Sequence, residues 1–172
     1  MTDTLRLVRP DVRYKDSYIA AAYEYEAEGH WPLWNIAKMI RHFDEYVEML
    51  LLKETDPMPG WSAETVFWSV IGSEYVGRIS LRHELIGNLL NYGGHIGYDV
   101  RPSMRRRGFG TQQLALCLQE ARERGFTRVL ITCDDDNLGS IRIIEANGGV
   151  LEDKRDNGRP TLTRRYWITL TP

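Results

Sequence analysis

The chain has 172 residues, 42% hydrophobic and 27% charged, which suits a single globular domain over 1–172 and excludes a disordered or fibrous class. A formal net charge of −2 gives no reason to expect nucleic acid or an anionic membrane as partner, so any positive field is local. Two cysteines exclude a disulfide framework and a Cys-pair metal site, and with no membrane-length apolar run or signal-peptide pattern a reducing cytoplasm is the expected setting.

Residues 5–8 suggest a short strand that Pro10 ends. Tyr14, Tyr18, Ala21 and Tyr25 fall on one helical face, followed by a loop over 28–34 marked by Gly29 and Pro32. The next helix is the clearest amphipathic element of this half. Ile36, Met39, Ile40, Phe43, Val47, Leu50 and Leu51 make one apolar stripe, broken by Pro57, Pro59 and Gly60. Residues 65–71, rich in β-branched and aromatic side chains, read as a strand. A turn at 72–74 leads into a second strand, where Ile79 and Leu81 alternate with Arg78, Ser80 and Arg82. A loop containing Gly87, Gly93 and Gly94 precedes a strand over 95–100, which Pro102 closes.

The second half changes rhythm. Leu114, Cys117, Leu118 and Ala121 line one face of a helix that Gly125 terminates. Residues 129–133 are almost wholly apolar, as in a strand buried on both faces. Asp134 to Asn137 offer N-cap chemistry for a helix through Ala146, and Gly148 and Gly149 close it. Residues 150–154 and 162–170 read as the last two strands, joined by a turn at 156–158. Strand, helix, strand in this half implies a parallel crossover. The fold class is therefore α/β (α+β): one mixed, mostly antiparallel sheet with a central β-α-β crossover and helices on both faces.

Between the 95–100 strand and the following helix lies Arg105-Arg106-Arg107-Gly108-Phe109-Gly110-Thr111. Glycines there let the backbone turn tightly and bring its N–H groups close to a ligand. The helix start adds unpaired donors and the positive end of a dipole, and arginines supply forked cations. Together these make a diphosphate cradle. No Gly-Lys-Ser/Thr follows, so it is not a Walker loop, and the glycine spacing is not that of a Rossmann turn.

Arg105-x-x-Gly108-x-Gly110 after a strand resembles the acetyl-coenzyme A pyrophosphate signature of the GNAT acetyltransferase superfamily. The resemblance continues through Asn137-Leu138-Gly139-Ser140 and Glu145-Ala146-Asn147-Gly148, and residues 95–151 carry it. It implies an N-acetyltransferase that uses acetyl-CoA as cosubstrate, needs no metal, and joins donor and amine in a ternary complex. The strand before the signature would splay from the next parallel strand, with pantetheine pairing to backbone around Tyr98 and Val100. N–H groups from Arg106 through Thr111 would hold the pyrophosphate, and Asn137 and Ser140 would lie along the cofactor. A neutral amine would attack the thioester, a backbone N–H near Val100 would receive the developing oxyanion, and thiolate would leave. The family often forms homodimers.

The chain departs from the family at Ile144, where many members carry the tyrosine that protonates the leaving thiolate. Tyr166 is a candidate substitute, and a thiol pKa near 8.5 also tolerates unprotonated departure. His83, Glu84 and His95, near strand ends, are candidates for the base. Trp31 and Trp34, with His30, are candidates to flank the acceptor, since family acceptor sites draw on the connection between the first helices. Glu24, Glu26 and Glu28 could attract a cationic amine. The pattern also admits transfer of another acyl group and a CoA-binding module without catalysis. A basic nucleic-acid-binding domain fits the mildly acidic balance least.

Overall fold

A computed structural model describes residues 4–29 and 35–170. Seven strands, β1 (Arg6–Val8), β2 (Glu64–Ile71), β3 (Glu74–Arg82), β4 (Ile96–Val100), β5 (Arg128–Asp134), β6 (Val150–Arg155) and β7 (Thr163–Thr169), form one sheet in the order β1-β2-β3-β4-β5-β7-β6. Every neighbouring pair is antiparallel except β4 with β5. The helices are α1 (Lys15–Ala27), α2 (Ile36–Arg41), α3 (Phe43–Thr55), α4 (Phe109–Glu123) and α5 (Leu138–Ala146). Helix α4 links β4 to β5 and makes their parallel pairing possible.

Each sheet face carries its own core. On one side Tyr18 stacks on the fully buried Trp68, with ring centroids 4.7 Å apart, and Met39, Phe43, Tyr46 and Leu50 of α2 and α3 close around it. The Tyr18 and Tyr46 hydroxyls share a 2.7 Å hydrogen bond, which satisfies both in that apolar setting. On the other side Leu114, Cys117, Leu118 and Ala121 of α4 and Ile144 of α5 pack on Phe67, Ile79, Ile96 and Ile131. The α4 residues recur at three- and four-residue spacing, so a single apolar stripe meets the sheet.

Two features depart from the sequence expectation. The single helix expected over the stripe from Ile36 to Leu51 is broken at His42, whose φ of −124° and ψ of 40° separate α2 from α3. Both halves still face the sheet, and Asp44 and Glu45 in the first turn of α3 suit its dipole. The loop between β3 and β4 contains a π-helical turn, Leu89–Gly93. Among the described residues no helix is long and apolar enough to cross a membrane.

Candidate functional site

Strands β4 and β5 pair at one position, Ile96 opposite Ile131. Just before it the chains are tied: the His95 N–H donates to the Leu130 carbonyl at 2.7 Å, and the Leu130 N–H donates to His95 Nδ1 at 2.9 Å. Beyond Ile96 the two strands part. Gly97 and Tyr98 on one side and Thr132 and Cys133 on the other line a cavity of about 340 Å³, with Tyr92, Asn137 and Ser140 completing its walls. Arg82 and an Asp134–Arg159 ion pair at 2.9 Å add charge to the lining.

Arg82 is a lining residue that sequence reasoning missed. Its guanidinium donates to the carbonyls of Gly93 and Gly94 at 3.2 and 3.1 Å and lies over Gly97, where an added Cβ would stand 3.6 Å away. Alternation along β3 places Arg82 on a polar strand face, but only the folded turn at 89–93 makes that face a cavity wall. Burial pushes the Tyr98 hydroxyl up to about 12 and the Cys133 thiol up to about 11. Both therefore stay protonated at neutral pH.

The cradle lies where β4 hands over to α4. A short 3-10 turn, Pro102–Met104, leads to Arg106 at φ 62° and Gly108 at φ 81°. Gly108 is the N-cap of α4 and offers no side chain to its first-turn N–H groups, so among the described residues those donors carry no side-chain cap. A helix start preceded by left-handed residues is a concave set of backbone donors suited to an anion. The three arginines differ. The Arg105 side chain donates to the Val100 carbonyl at 3.0 Å and pairs with Glu28 at 2.8 Å. The Arg107 guanidinium sits 5.0 Å over the Phe109 ring, and Arg106 is exposed. Gly110 serves packing as well: an added Cβ would stand 2.5 Å from Ile143 Cδ1, so α4 and α5 approach closely there. Thr111 lies in the first turn, and its carbonyl accepts from Asn147 Nδ2 at 3.2 Å.

Glu24 and Glu28 anchor this loop and are not open to an amine. Glu24 accepts from Arg101 Nε at 2.7 Å and from the Ser103 N–H at 2.9 Å, so α1 holds the loop as Glu28 does through Arg105. The Asn137 side chain accepts from the Ser140 N–H at 3.0 Å and caps α5. Across the cavity the Tyr98 hydroxyl donates to Ser140 Oγ at 3.0 Å.

The cavity does not gather the expected proton-transfer candidates. His95 is 8% exposed, edge-on to the Phe126 and Trp167 rings, and its pKa falls to about 4 through burial and the nearby Arg128 and Arg82 charges. His83 meets Thr65 Oγ1 at 2.8 Å, and Glu84 does not line the cavity, its N–H donating to Ser62 Oγ at 3.0 Å. Tyr166 belongs to the α4 and α5 core, where its hydroxyl donates to Glu145 and accepts from Arg164, both at 3.1 Å. Ile144 is fully buried in the same core. His30, Trp31 and Trp34 lie outside the described residues.

A family model described as acetyltransferase (GNAT) domain matches residues 5–150. A relative from Bacillus subtilis (strain 168), the uncharacterized N-acetyltransferase YjdG, is 23% identical over 184 residues, covering 99% of this chain and 96% of the relative. Among solved structures, the microcin C7 self-immunity acetyltransferase MccE, in complex with acetyl-CoA and AMP, superposes with a TM-score of 0.71 at 19% identity, covering 97% of this chain and 93% of that one. An acetyl transferase from Salmonella typhimurium that modifies the N-terminal serine of ribosomal protein L7/L12 gives a TM-score of 0.69 at 18% identity, covering 98% and 96%. At these identities the two structures share a fold with this chain.

Proposed function

The chain belongs to the GNAT acetyltransferase domain family, and from that membership we propose that it transfers acetyl from acetyl-CoA directly to the N-terminal amine of a polypeptide. The observation that carries this reading is the parting of β4 and β5 beside an uncapped helix start. A diphosphate fits the free N–H groups of Phe109, Gly110 and Thr111, with Arg106 at the rim. A slender amide-bearing arm fits the cavity that opens after Ile96, with backbone partners at Tyr98 in its lining and at the N–H of Val100 further along β4. The acetyl thioester supplies an activated carbonyl.

The residues around that carbonyl have separable tasks. Holding donor and amine in one cleft removes much of the entropic barrier to their reaction. A hydroxyl pair, Ser140 and Tyr98, lines the cavity and supplies the proton that the isoleucine at 144 does not. Cys133 lines it too, but a thiol pushed up to about 11 is a weak nucleophile at neutral pH, which favours direct transfer over an acetyl-cysteine intermediate. An α-amine, with a pKa near 8, is neutral far more often at that pH than a lysine near 10.4. The Salmonella structure's reaction on an N-terminal serine supports the same acceptor class. Two free cysteines suit a reducing, cytoplasmic setting, and the reading takes residues 1–172 as one domain.

The test is thiol release from acetyl-CoA over a panel of N-terminal peptides, lysine peptides, polyamines and aminoglycosides. Release with N-terminal peptides, and acetyl on their α-amine by mass spectrometry, supports the reading. Release with polyamines or aminoglycosides alone replaces the acceptor class, and acetyl-CoA binding without release from any of them points to a binding module.

A further inference from the structure

A second concavity, of about 570 Å³, lies between α3 and the segment that leads into β2. Its walls are apolar and open: Trp61 is 67% exposed, Met58 62% and Leu52 44%. Side chains of this size are costly to leave in water and, grouped in a groove, mark a binding surface. The rim is acidic. Among the described residues Glu48 and Asp56 carry no ion pair and Glu45 pairs only with the His42 ring, at 2.9 Å, while Lys53 is engaged by Glu64 at 3.3 Å. An occupant therefore gains from apolar groups against Trp61 and Met58 and from positive charge beside Glu48 and Asp56.

The groove and the cavity are separate concavities whose walls meet at one cross-strand pair. Glu64, which lines the groove, stands opposite Arg82 in the β2–β3 register, and Arg82 lines the cavity. Directly opposed residues of an antiparallel pair point to the same face about 5 Å apart. A chain whose amine is in the cavity reaches the groove within about five residues, at 3.3–3.6 Å per extended residue.

We propose that this groove binds the segment of a polypeptide acceptor just after its N-terminal residues, and that it selects segments combining lysine or arginine with large apolar side chains. The proposal rests on transfer to a polypeptide amine. A polyamine would leave Trp61 and Met58 uncovered, and an acidic segment would meet the carboxylates of Glu48 and Asp56.

The test is fluorescence anisotropy with the full chain and two C-terminally labelled octapeptides, both beginning with serine. One carries lysine and leucine at positions three to seven, and the other has glutamate in place of each lysine. The basic peptide is expected to bind about tenfold tighter or more, and Glu48→Lys with Asp56→Lys, or Trp61→Ala, should erase most of that preference. The rise in melting temperature with acetyl-CoA should be unchanged in these variants, which separates a lost groove from a lost fold. Equal affinity for both peptides, or a preference that survives the substitutions, overturns the proposal. So does sedimentation showing a dimer that Trp61→Ala dissociates, because the groove would then hold a second copy of the chain. Selective binding without acetylation of either peptide leaves the groove standing and removes the transferase reading. Acetylation of both with equal affinity does the reverse.

Discussion

The hydroxyl of Tyr98, on β4, donates to Ser140 Oγ, on α5, across 3.0 Å of the cavity that parts β4 from β5. Tyr98 faces that cavity from the strand that would hold the cofactor arm, and the N–H of Ser140 is itself fixed by the Asn137 cap. With Tyr98 as donor, the Ser140 proton is free to point into the cavity. The pair thus offers a protonated oxygen where Ile144, buried in the core, offers none.

Tyr98→Phe and Ser140→Ala should each lower kcat about tenfold, with little change in affinity for acetyl-CoA. The effect is modest for general acid catalysis because a thiolate is a tolerable leaving group. The double variant should be scarcely worse than either single one, as expected of groups acting in series. Because burial sets Tyr98 at about 12, its proton is lost only as pH rises through that value, so this donor alone produces no fall in kcat up to about pH 10. Steady-state kinetics on the four proteins checks both points.

Gly108→Val should remove the acetyl-CoA-induced rise in melting temperature. The left-handed backbone at φ 81° costs a branched residue about 1–2 kcal/mol, and relief of that strain turns the cradle N–H groups away. Scanning calorimetry with and without ligand separates the small intrinsic loss from the loss of binding.

Gly110→Leu should destabilise the protein by about 1–3 kcal/mol by driving α4 against Ile143. Adding Ile143→Ala should recover a large part of it. Urea unfolding of the two single variants and the double variant measures the coupling, and simple additivity would mean that the close approach of α4 and α5 is not the cause.

His95 gives the fold an acid weakness. Its pKa lies near 4 in the folded chain and near 6.5 unfolded, so between those values the unfolded state binds more protons. Stability from this group is complete above about pH 6.5 and is lost as pH falls toward 4. The loss should be on the order of 2–3 kcal/mol, lowering the melting temperature several degrees. His95→Gln, whose side-chain oxygen can accept the Leu130 N–H, should flatten that part of the profile.

What was legible in the sequence was what depends on neighbours along the chain. The stripe of α4, the apolar run of β5 and the Arg105 to Gly110 spacing are local patterns, and each marks the element expected. The break at His42 is not legible locally, because the apolar stripe continues from Met39 to Phe43 and both helices contribute to the one core around Trp68. Arg82 and Thr132 enter the site because the α4 crossover and the turn at 89–93 bring β3, β4 and β5 together. Gly110 illustrates both levels: its place in the motif is visible locally, whereas its contact with Ile143 exists only once α5 has packed.

The most direct test of direct transfer within one cleft is a matrix of initial rates in which acetyl-CoA and an N-terminal peptide are both varied, using wild type and Cys133→Ser. Intersecting double-reciprocal lines, with activity largely kept in the cysteine variant, are the predicted result. Parallel lines together with an acetylated Cys133 on the protein would contradict it.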